Sequence, residues 1–466
     1  MRVARLGGIS PLSLYPAFPV SRHGLLLLLG LLFLAAISAI PALGDLRVRT
    51  GALLALWTIA HAAYLAAAWV VTRAARRPDE IAARATSTPR LTPLWIVIGV
   101  ALLARLVLIP SQPTLSEDLY RYLWDGRQVA RGVNPYLHPP DNPSLAPFHD
   151  QLLERINHRH VPTIYPPAAE LFFGAVARIE PSPRAFKLAM LPLEAGLWIA
   201  LLFLLRRRGL ADDRLLLFAW NPLVVIESYG SGHLDLMTAA FLTLALAMSE
   251  AKRAASAGVA FAVALLTKYT PLLLVPYLVR KRAVTLLGVA AAVSALFYLP
   301  FGDAGASLWK GLATYTAHWE FNGSLYPLLR AAGATVKTSR LILAAALAVA
   351  ALWISLRARS ATGAALGLYT AYLLASPTVY PWYLVPLAAL LPLHPNAGLL
   401  AFSGLAALSY FPLPTYHATG AWTEPAWIRW VEYGGFAAVA AVAAWIGRRA
   451  EAQARRAAWA SETRPT

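Results

Sequence analysis

Apolar segments long enough to cross a bilayer recur along this chain, and they decide its fold class. Examples are residues 25–43, 51–71, 93–110 and 186–205. A spanning helix needs about 20 mostly apolar residues, and a segment in lipid must satisfy its backbone hydrogen bonds internally. Apolar residues make up 58% of the 466 residues and charged residues only 14%. The sequence therefore predicts an all-α, polytopic transmembrane protein.

Clusters of arginine and lysine separate the apolar segments and predict the orientation of the chain. They lie at residues 73–77, 206–208, 252–253, 280–282, 357–359 and 448–449. Because short basic loops face the cytoplasm, we expect an even number of crossings between clusters, about 12 to 14 in all, with both chain ends cytoplasmic. This pattern requires residues 165–179 to form only a half-inserted helix, begun by Pro166 and Pro167.

The basic loops also explain the formal net charge of +18, which on a soluble protein would indicate a nucleic-acid partner. Here we expect membrane lipids as partners and no nucleic acid, since basic loops meet anionic lipid headgroups. The chain contains no cysteine, which excludes disulfides and thiolate metal sites. Its histidines, among them His158 and His160, lack a regular ligand spacing. We therefore expect no bound metal, and no cofactor is predicted with certainty.

One polar segment, residues 111–165, interrupts the apolar pattern. It contains SEDLYRYLWDGRQVARGVNPYLHPP and ends in TIYPP. We interpret residues 1–466 as a single integral membrane domain with this segment inserted as an outer loop. Residues 116–133 have the spacing of an amphipathic helix, with Thr114 and Glu117 as a capping box and Gly132 as a stop. Carboxylates, arginines and aromatic rings at a membrane surface favour a polar substrate.

Glu117 and Asp118 have two interpretations. Acidic residues in the first turn of a helix complement the helix dipole, which needs no function. Alternatively, one of them is a general base that approaches an acceptor hydroxyl to within about 2.6–3.2 Å. The sequence leaves both interpretations open, and it does not decide which carboxylate would be the base.

Three further segments contain polar residues in apolar surroundings. Arg105 lies within a span, where a charge is either functional or extends to the interface. Lys268, in LLTKYTPLLLVP, interrupts an apolar hairpin, and an ammonium at such a break fits a lipid-linked phosphate. His233 and Asp235, in GSGHLD, form either a flexible glycine loop that binds phosphate or sugar, or only a tight hairpin.

Five motifs of the chain resemble those of a known enzyme family. They are SEDLYRYLWDGRQVARGVNPY, TIYPPAAELFF, AWNPLVVIESYGSGHLD, LLTKYTPLLLVP and SPTVYPWYLVP. They are similar to bacterial integral-membrane mannosyltransferases of the GT-C superfamily, particularly polyprenol-phosphate-mannose-dependent enzymes of glycosyltransferase family 87 and their alpha-1,6-mannosyltransferase relatives. The resemblance covers roughly residues 93–386 and is most specific in the first motif.

The resemblance implies a function as well as a fold. A GT-C fold has many spans and a large first outer loop with an acidic motif. The implied enzyme transfers a hexose, here mannose, with inversion from a polyprenyl-phosphate donor to a lipid-linked or cell-envelope glycan acceptor. A carboxylate acts as base, on the outer face of the inner (plasma) membrane. Asp118, with Glu117 beside it, takes the acidic-motif role, although the chain has Glu-Asp where relatives often have Asp-Asp.

The remaining candidate residues divide into two groups on physical grounds. A leaving phosphate calls for cationic donors, and the expected donor-phosphate contacts are Lys268, Arg105, His233 and Arg121. Aromatic rings and carboxylates hold sugars, and the expected acceptor or sugar contacts are Tyr120, Trp124, Asp235, Tyr165, Trp382 and Tyr383.

Two other functions remain open at this stage. A transporter would use Glu194, Glu227, Arg105 and Lys268 as a polar path across the membrane. It would show a pseudo-symmetric site at the midplane, whereas a transferase would show one outer cavity under residues 116–165. A non-catalytic lipid-binding protein would leave Asp118 dispensable.

Overall fold

The computed structural model describes residues 21–74 and 92–462. Two arginines of the first predicted basic cluster, Arg76 and Arg77, lie outside the described residues. Within the described ranges the protein is helical, with no β-strand beyond isolated bridges that Thr378 makes with Phe321 and Asn322.

The α-helices are Arg22–Ala39, Thr50–Ala74, Thr92–Leu108, Asp118–Ala130, Gln151–Glu154, Pro167–Ile179, Pro183–Arg207, Leu216–Ala219, Pro222–Val225, Asp235–Glu250, Ala254–Thr267, Val275–Arg280, Val284–Tyr298, Lys310–His318, Leu325–Ala331, Val336–Arg357, Ala361–Ala375, Val385–Ala388, Ala397–Leu405, Leu413–Thr419, Ala426–Arg429 and Gly435–Glu462. Tighter 3-10 segments are Pro41–Leu43, Pro143–Phe148, Asp212–Leu215, Thr270–Leu274, Leu299–Trp309, Pro381–Leu384 and Ala406–Tyr410. Wider π-helical turns are Ile226–Ser231 and Trp430–Gly434.

Seven helical segments of the described chain are long and apolar enough to cross a membrane. They are Arg22–Leu43, Thr50–Thr72, Pro183–Arg207, Val284–His318, Val336–Arg357, Ala397–Thr419 and Ala426–Gln453. Shorter apolar helices are Pro93–Leu108, Ala254–Thr267, Thr270–Arg280 and Ala361–Ala375. The protein is therefore an all-α, polytopic membrane protein, as the sequence predicts, and the number of crossings stays a prediction.

Several of the predicted basic loops meet at one end of the helices. Arg208 forms an ion pair with Glu250 and donates a 2.9 Å hydrogen bond to Thr362 Oγ1. Arg280 donates to the carbonyl oxygen of Ala358 at 2.6 Å. The turns that follow residues 207, 250, 280 and 357 therefore lie on the same side of the molecule.

Two neighbouring helices connect this basic end to the opposite end. Helix Asp235–Glu250 has 16 residues, which corresponds to about 24 Å. Helix Ala254–Thr267 packs against it, runs back and ends next to Lys268. There the Lys268 ammonium lies 2.7 Å from a carboxylate oxygen of Asp235. Lys268 and Asp235 thus lie far from the basic loops.

The polar segment 111–165 packs through its helix Asp118–Ala130 against helix Pro167–Ile179. A Cβ at Gly126 would lie only 2.4 Å from the Phe173 carbonyl oxygen, so the close approach of the two helices requires glycine there. The predicted start of the second helix at the proline pair is confirmed: Pro166 is the N-cap and Pro167 the first helical residue.

The start of helix Asp118–Ala130 differs from the prediction. Glu117 is its N-cap but makes no capping hydrogen bond with its side chain, so the predicted capping box is wrong. Thr114 instead accepts a hydrogen bond from the backbone N–H of Leu46 at 3.1 Å. The predicted stop agrees with the structure, because Gly132 adopts a left-handed φ of 78° directly after the helix.

Residues 226–235 form a buried turn inside the protein. The π-helical turn Ile226–Ser231 is followed by Gly232 at φ 79° and then by the helix that begins at Asp235. His233 is 1% exposed and Asp235 is 2% exposed. The tight-turn alternative therefore agrees with the observed structure, in which this segment is buried and leads directly into the next helix.

Candidate active site

Most of the predicted site residues line one cavity of about 1040 Å³. Parts of the polar segment, residues 114–122 and 157–166, form one wall. The break at residues 268–273 forms the next, and residues 312–321, 372–383 and 410–422 close the other side. The predicted residues that line it are Glu117, Asp118, Arg121, Tyr165, Asp235, Lys268, Trp382 and Tyr383.

Asp118 is the first residue of its helix and directs its carboxylate into the cavity. Its side chain is 25% exposed, and its Oδ2 lies 3.9 Å from Nε2 of His233. Burial raises the pKa of Asp118, and the positive charges of His233 and Lys268 oppose this rise. A carboxyl group with a raised pKa is a stronger base once it is ionised.

Glu117 lines the same cavity but interacts with different groups. Burial and the neighbouring Asp118 raise the pKa of Glu117, whereas a hydrogen bond with Asn157 and the charge of Arg47 lower it. Arg47 itself forms a 2.7 Å ion pair with Asp45. The two adjacent carboxylates are therefore not equivalent, and only Asp118 is influenced by His233 and Lys268.

Lys268 lies at the break between two helical segments. It follows helix Ala254–Thr267 in an extended conformation, with φ −157° and ψ 136°. Its ammonium pairs with Asp235 at 2.7 Å and lies 3.8 Å from the centre of the Tyr383 ring. With 24% of its side chain exposed, Lys268 is open to the cavity. A cation in this position can also meet an anionic ligand.

Arg121 offers a second cation to the cavity. Its Nε donates to Asp125 at 2.8 Å, and its Nη1 donates to the carbonyl oxygen of Val161 at 2.9 Å. Its Nη2 is buried and has no partner in the described part of the protein. These contacts fix the plane of the guanidinium at the lining of the cavity.

A comparison with known protein families identifies the family of the chain. A family model described as "Alpha-(1->6)-mannopyranosyltransferase, N-terminal domain" matches residues 34–285, which is more than half of the chain. The chain belongs to this family. The matched region includes Asp118, His233, Asp235 and Lys268. No curated protein matches the chain.

Family membership makes the protein a glycosyltransferase of the mannosyltransferase type. It does not favour the transporter alternative, and neither does the buried ion pair of Arg105 and Glu194.

Arg105 is 0% exposed and binds both carboxylate oxygens of Glu194, at 2.7 and 3.0 Å. It also donates to the carbonyl oxygen of Ala219 at 2.6 Å. Arg105 does not line the cavity, so the predicted phosphate contact is corrected to a structural ion pair.

Two predicted sugar contacts also lie outside the cavity lining. Tyr120 is 4% exposed, and its hydroxyl accepts a 2.6 Å hydrogen bond from Arg155. Trp124 is 1% exposed and packs against the ring of His149. Both rings are buried against other parts of the protein. The spacing of residues along the helix does not show whether a ring is buried in the protein or lines the cavity. We no longer assign them to the sugar.

Trp382 lines the cavity, but its ring faces are occupied. His233 stacks on one face at 3.7 Å between centroids, and Tyr380 stacks at 4.5 Å on the other. The indole therefore offers only an edge to a ligand, and the residue predicted as a sugar contact packs instead against His233 and Tyr380. His233 itself does not line the cavity and lies behind Asp118, so the prediction of a direct phosphate contact does not agree with its position.

Sequence reasoning missed the part of the cavity lining that comes from residues 312–321. Helix Lys310–His318 and the residues after it place Tyr315 and Trp319 in the cavity. The Tyr315 and Tyr383 hydroxyls are hydrogen-bonded, and the ring of Trp319 lies 4.5 Å from that of His158. The only sequence signal was the polar and aromatic run YTAHWEFNGS between two apolar segments.

In the described residues, no group of three or more histidine, aspartate or glutamate side chains is placed to hold a metal ion. The lysine and arginine side chains that line this cavity are Lys268, Arg121 and Arg47, and the histidines that line it are His158, His160 and His318.

Proposed function

We propose that this protein transfers mannose from a polyprenyl-phosphate donor to a hydroxyl group of a glycan or glycolipid acceptor, with inversion. The supporting observation is that the Asp118 carboxylate and the Lys268 ammonium face one cavity in a chain of a mannopyranosyltransferase family. The family description favours the 6-hydroxyl of a mannose unit as the acceptor.

The chemistry of transfer needs these two groups. Asp118 removes the proton from the acceptor hydroxyl while its oxygen attacks C1 of the donor sugar. The bond between C1 and the phosphate oxygen breaks, and the electron pair stays with the phosphate. Lys268 stabilises the charge that develops on this leaving group, and the positive charge of Arg121 in the cavity lining adds to this effect. Attack from the side opposite the phosphate inverts the configuration at C1.

The apolar part of the cavity supports a lipid-linked donor. Leu272, Leu273 and Leu347 line the cavity near Lys268. Leu272 is 49% exposed on the apolar surface of the protein. A prenyl chain can leave the cavity along these leucines with its phosphate next to Lys268, since burial of each CH₂ contributes about 0.8 kcal/mol.

The side of the membrane follows from the position of the basic loops. The Lys268–Asp235 pair lies at the end of the helices opposite Arg208 and Arg280. If basic loops are cytoplasmic, the cavity opens to the outer side of the plasma membrane. Nucleotide sugars are charged and stay in the cytoplasm, so a lipid-linked sugar fits a site on the outer side.

Substitution of Asp118 tests the proposal directly. Detergent-purified Asp118→Asn protein is given polyprenyl-phosphate mannose and a mannose oligosaccharide, and both the released lipid phosphate and the product linkage are measured. General-base catalysis contributes about 10²–10⁴-fold, so we expect a loss in that range. If the helix-dipole interpretation holds instead, turnover stays normal and only about 0.3–1 kcal/mol of stability is lost.

Glu117→Gln is the matched control, because it neutralises the adjacent carboxylate in the same cavity. A larger loss in this variant than in Asp118→Asn would move the base to Glu117. Normal transfer in both variants would contradict the carboxylate mechanism. A panel of polyprenyl-phosphate sugars identifies the donor, and transfer of another hexose in preference to mannose would contradict that part of the proposal.

A further inference from the structure

Two aromatic rings of the cavity lining, Tyr416 and Trp422, are open to solvent. Tyr416 is 41% exposed and Trp422 is 37% exposed, whereas the other phenylalanine, tyrosine and tryptophan rings of the lining are buried or half-buried. The two rings contact each other, with 5.6 Å between their centroids and 65° between their planes. We call them the rim pair. They form an accessible contact surface, and tyrosine and tryptophan give large contact areas at a small cost in side-chain entropy.

A column of stacked rings connects the rim pair with the proposed reaction centre. The column begins at His233, whose Nε2 lies 3.9 Å from Oδ2 of Asp118. The rings that follow it, at centroid separations of 3.7, 4.5 and 4.2 Å, are Trp382, Tyr380 and Phe321. Trp422 then packs against Phe321 at 5.3 Å. Because all of these rings except His233 line the cavity, one cavity extends from Asp118 to the rim pair.

The last ring of the column is held in place by its backbone. The N–H of Phe321 donates to the carbonyl oxygen of Pro377 at 3.1 Å, and its carbonyl oxygen accepts from Val379 at 2.7 Å. The next residue, Asn322, has a left-handed φ of 47°, and its amide donates a 2.6 Å hydrogen bond to Glu432. A residue other than glycine persists in this conformation only where its surroundings fix it. The ring that supports Trp422 is therefore a fixed part of the cavity wall.

The surroundings of the rim pair are polar. Residues 415–423 are all exposed and include three threonines and a histidine. Hydrogen bonds from Arg47 lower the pKa of Asp45, and the charge of His417 adds a smaller effect, so this segment lies near the Asp45–Arg47 ion pair. Arg47 also lines the cavity. Rings among polar groups fit a sugar, which has apolar C–H faces and hydroxyl groups, better than they fit a prenyl chain.

We propose that the rim pair binds a sugar unit of the acceptor that lies further along the glycan than the reacting unit. The proposal rests on the proposed function, in which Asp118 takes the proton of the acceptor hydroxyl. The acceptor then enters past the rim pair and places its reacting end next to Asp118, so the protein prefers sugar chains to single sugars. The cavity volume of about 1040 Å³ agrees with an extended ligand, because pockets for complete small ligands typically have about 300–1,000 Å³.

Trp430 provides a matched control for Trp422. It is 66% exposed and does not line the cavity. Exposed tryptophans of membrane proteins commonly lie at the membrane–water interface, where they bind no specific ligand. Trp430→Ala therefore removes an exposed indole in the same part of the chain without changing the proposed acceptor path.

Initial rates with linear mannose oligosaccharides, from a single mannoside upward, test the proposal on the purified full-length protein. In the wild type we expect the KM for the acceptor to fall as the chain lengthens, and to level off once the chain reaches the rim pair. In Trp422→Ala, and separately in Tyr416→Ala, the KM for the longest acceptor should rise by about 10-fold. The KM for the shortest acceptor, the KM for polyprenyl-phosphate mannose and kcat should stay unchanged, because uniform binding of a remote unit affects only KM.

Two further substitutions separate contact with a ring from apolar bulk. Trp422→Phe keeps an aromatic face and should retain part of the affinity for long acceptors. Trp422→Leu keeps an apolar side chain without a ring and should behave like Trp422→Ala. Trp430→Ala should keep every KM at the wild-type value. An equal rise in KM for short and long acceptors in Trp422→Ala, or a rise of the same size in Trp430→Ala, would overturn the proposal.

The failure of this proposal is distinguishable from the failure of the proposed function. If the wild type transfers mannose with an acceptor KM that does not depend on chain length, the role of the rim pair is wrong and the proposed function stands. If the wild type transfers no mannose from the polyprenyl-phosphate donor to any acceptor of the series, the proposed function is wrong, and the role of the rim pair is overturned with it.

Discussion

Neutralising Lys268 should weaken binding of the lipid-linked donor much more than binding of the acceptor. In Lys268→Gln the side chain keeps most of its length and loses its charge. A hydrogen bond to a charged group contributes about 1.5–3 kcal/mol, which corresponds to about a 10- to 150-fold rise in the KM for polyprenyl-phosphate mannose. The acceptor carries no phosphate at the reacting hydroxyl, so its KM should stay nearly constant.

The same substitution also has a structural cost, which must be separated from donor binding. Asp235 is 3% exposed at its side chain and loses its 2.7 Å partner. Removing one member of a buried pair costs about 3–5 kcal/mol of unfolding free energy. Since the Lys268 side chain is 24% exposed to the cavity, water screens the pair and we expect a loss below that range.

A double variant resolves the two effects. Lys268→Gln combined with Asp235→Asn removes both charges, so the free energy of unfolding should recover relative to the single Lys268→Gln variant, while the donor KM stays high. Thermal unfolding in detergent measures the first quantity, and initial rates at varied donor concentration measure the second. A double variant that regains the wild-type donor KM together with stability would show that Lys268 is structural and would refute the reasoning.

Three other predictions follow from the charges and their positions. Burial raises the pKa of Asp118, so the acid-side decline of kcat/KM should occur at a higher pH than it would for an ordinary aspartate. A pKa raised in the folded state also means that the ionised carboxylate destabilises the fold at neutral pH. Asp118→Asn should therefore not lower the melting temperature. A cysteine at His149 should react with an impermeant thiol reagent added to intact cells, whereas one at Arg207 should not; the reverse would contradict an outward cavity, and the chain has no native cysteine to interfere. Arg105→Met leaves Glu194 buried without its cation and should cost about 3–5 kcal/mol of unfolding free energy, while the donor KM of the folded protein stays unchanged; a specific rise in that KM would return Arg105 to the donor site.

The features that the sequence predicted correctly have local causes. The length of the apolar segments predicted the fold class, and the pair Pro166–Pro167 predicted the start of helix Pro167–Ile179. Asp118 at the beginning of an amphipathic helix, and Lys268 just before Pro271, each lie where the chain changes from one helix to another segment. Because such breaks within a membrane line cavities or are buried in protein, both residues could be connected with a site before the structure was known.

The features that the sequence did not predict depend on distant partners. Arg105 and Lys268 give the same signal, a single cation in an apolar segment, yet one is enclosed and the other opens to the cavity. The difference comes from Glu194, which lies 89 positions along the chain from Arg105. Likewise, the role of Trp382 changes because His233 and Tyr380 cover its ring. No local pattern contains that information.

The cavity combines two parts of the chain that differ in their relation to the family. The region that the family model matches, residues 34–285, contains Asp118 and Lys268, which are the groups proposed to accept the proton and to meet the phosphate. Later residues such as Trp319 and Tyr383 complete the lining of the same cavity. Tyr383 contacts Lys268 directly, since its ring centre lies 3.8 Å from the ammonium. The proposed reacting groups therefore lie within the matched region, but part of their immediate surroundings comes from the chain after residue 285.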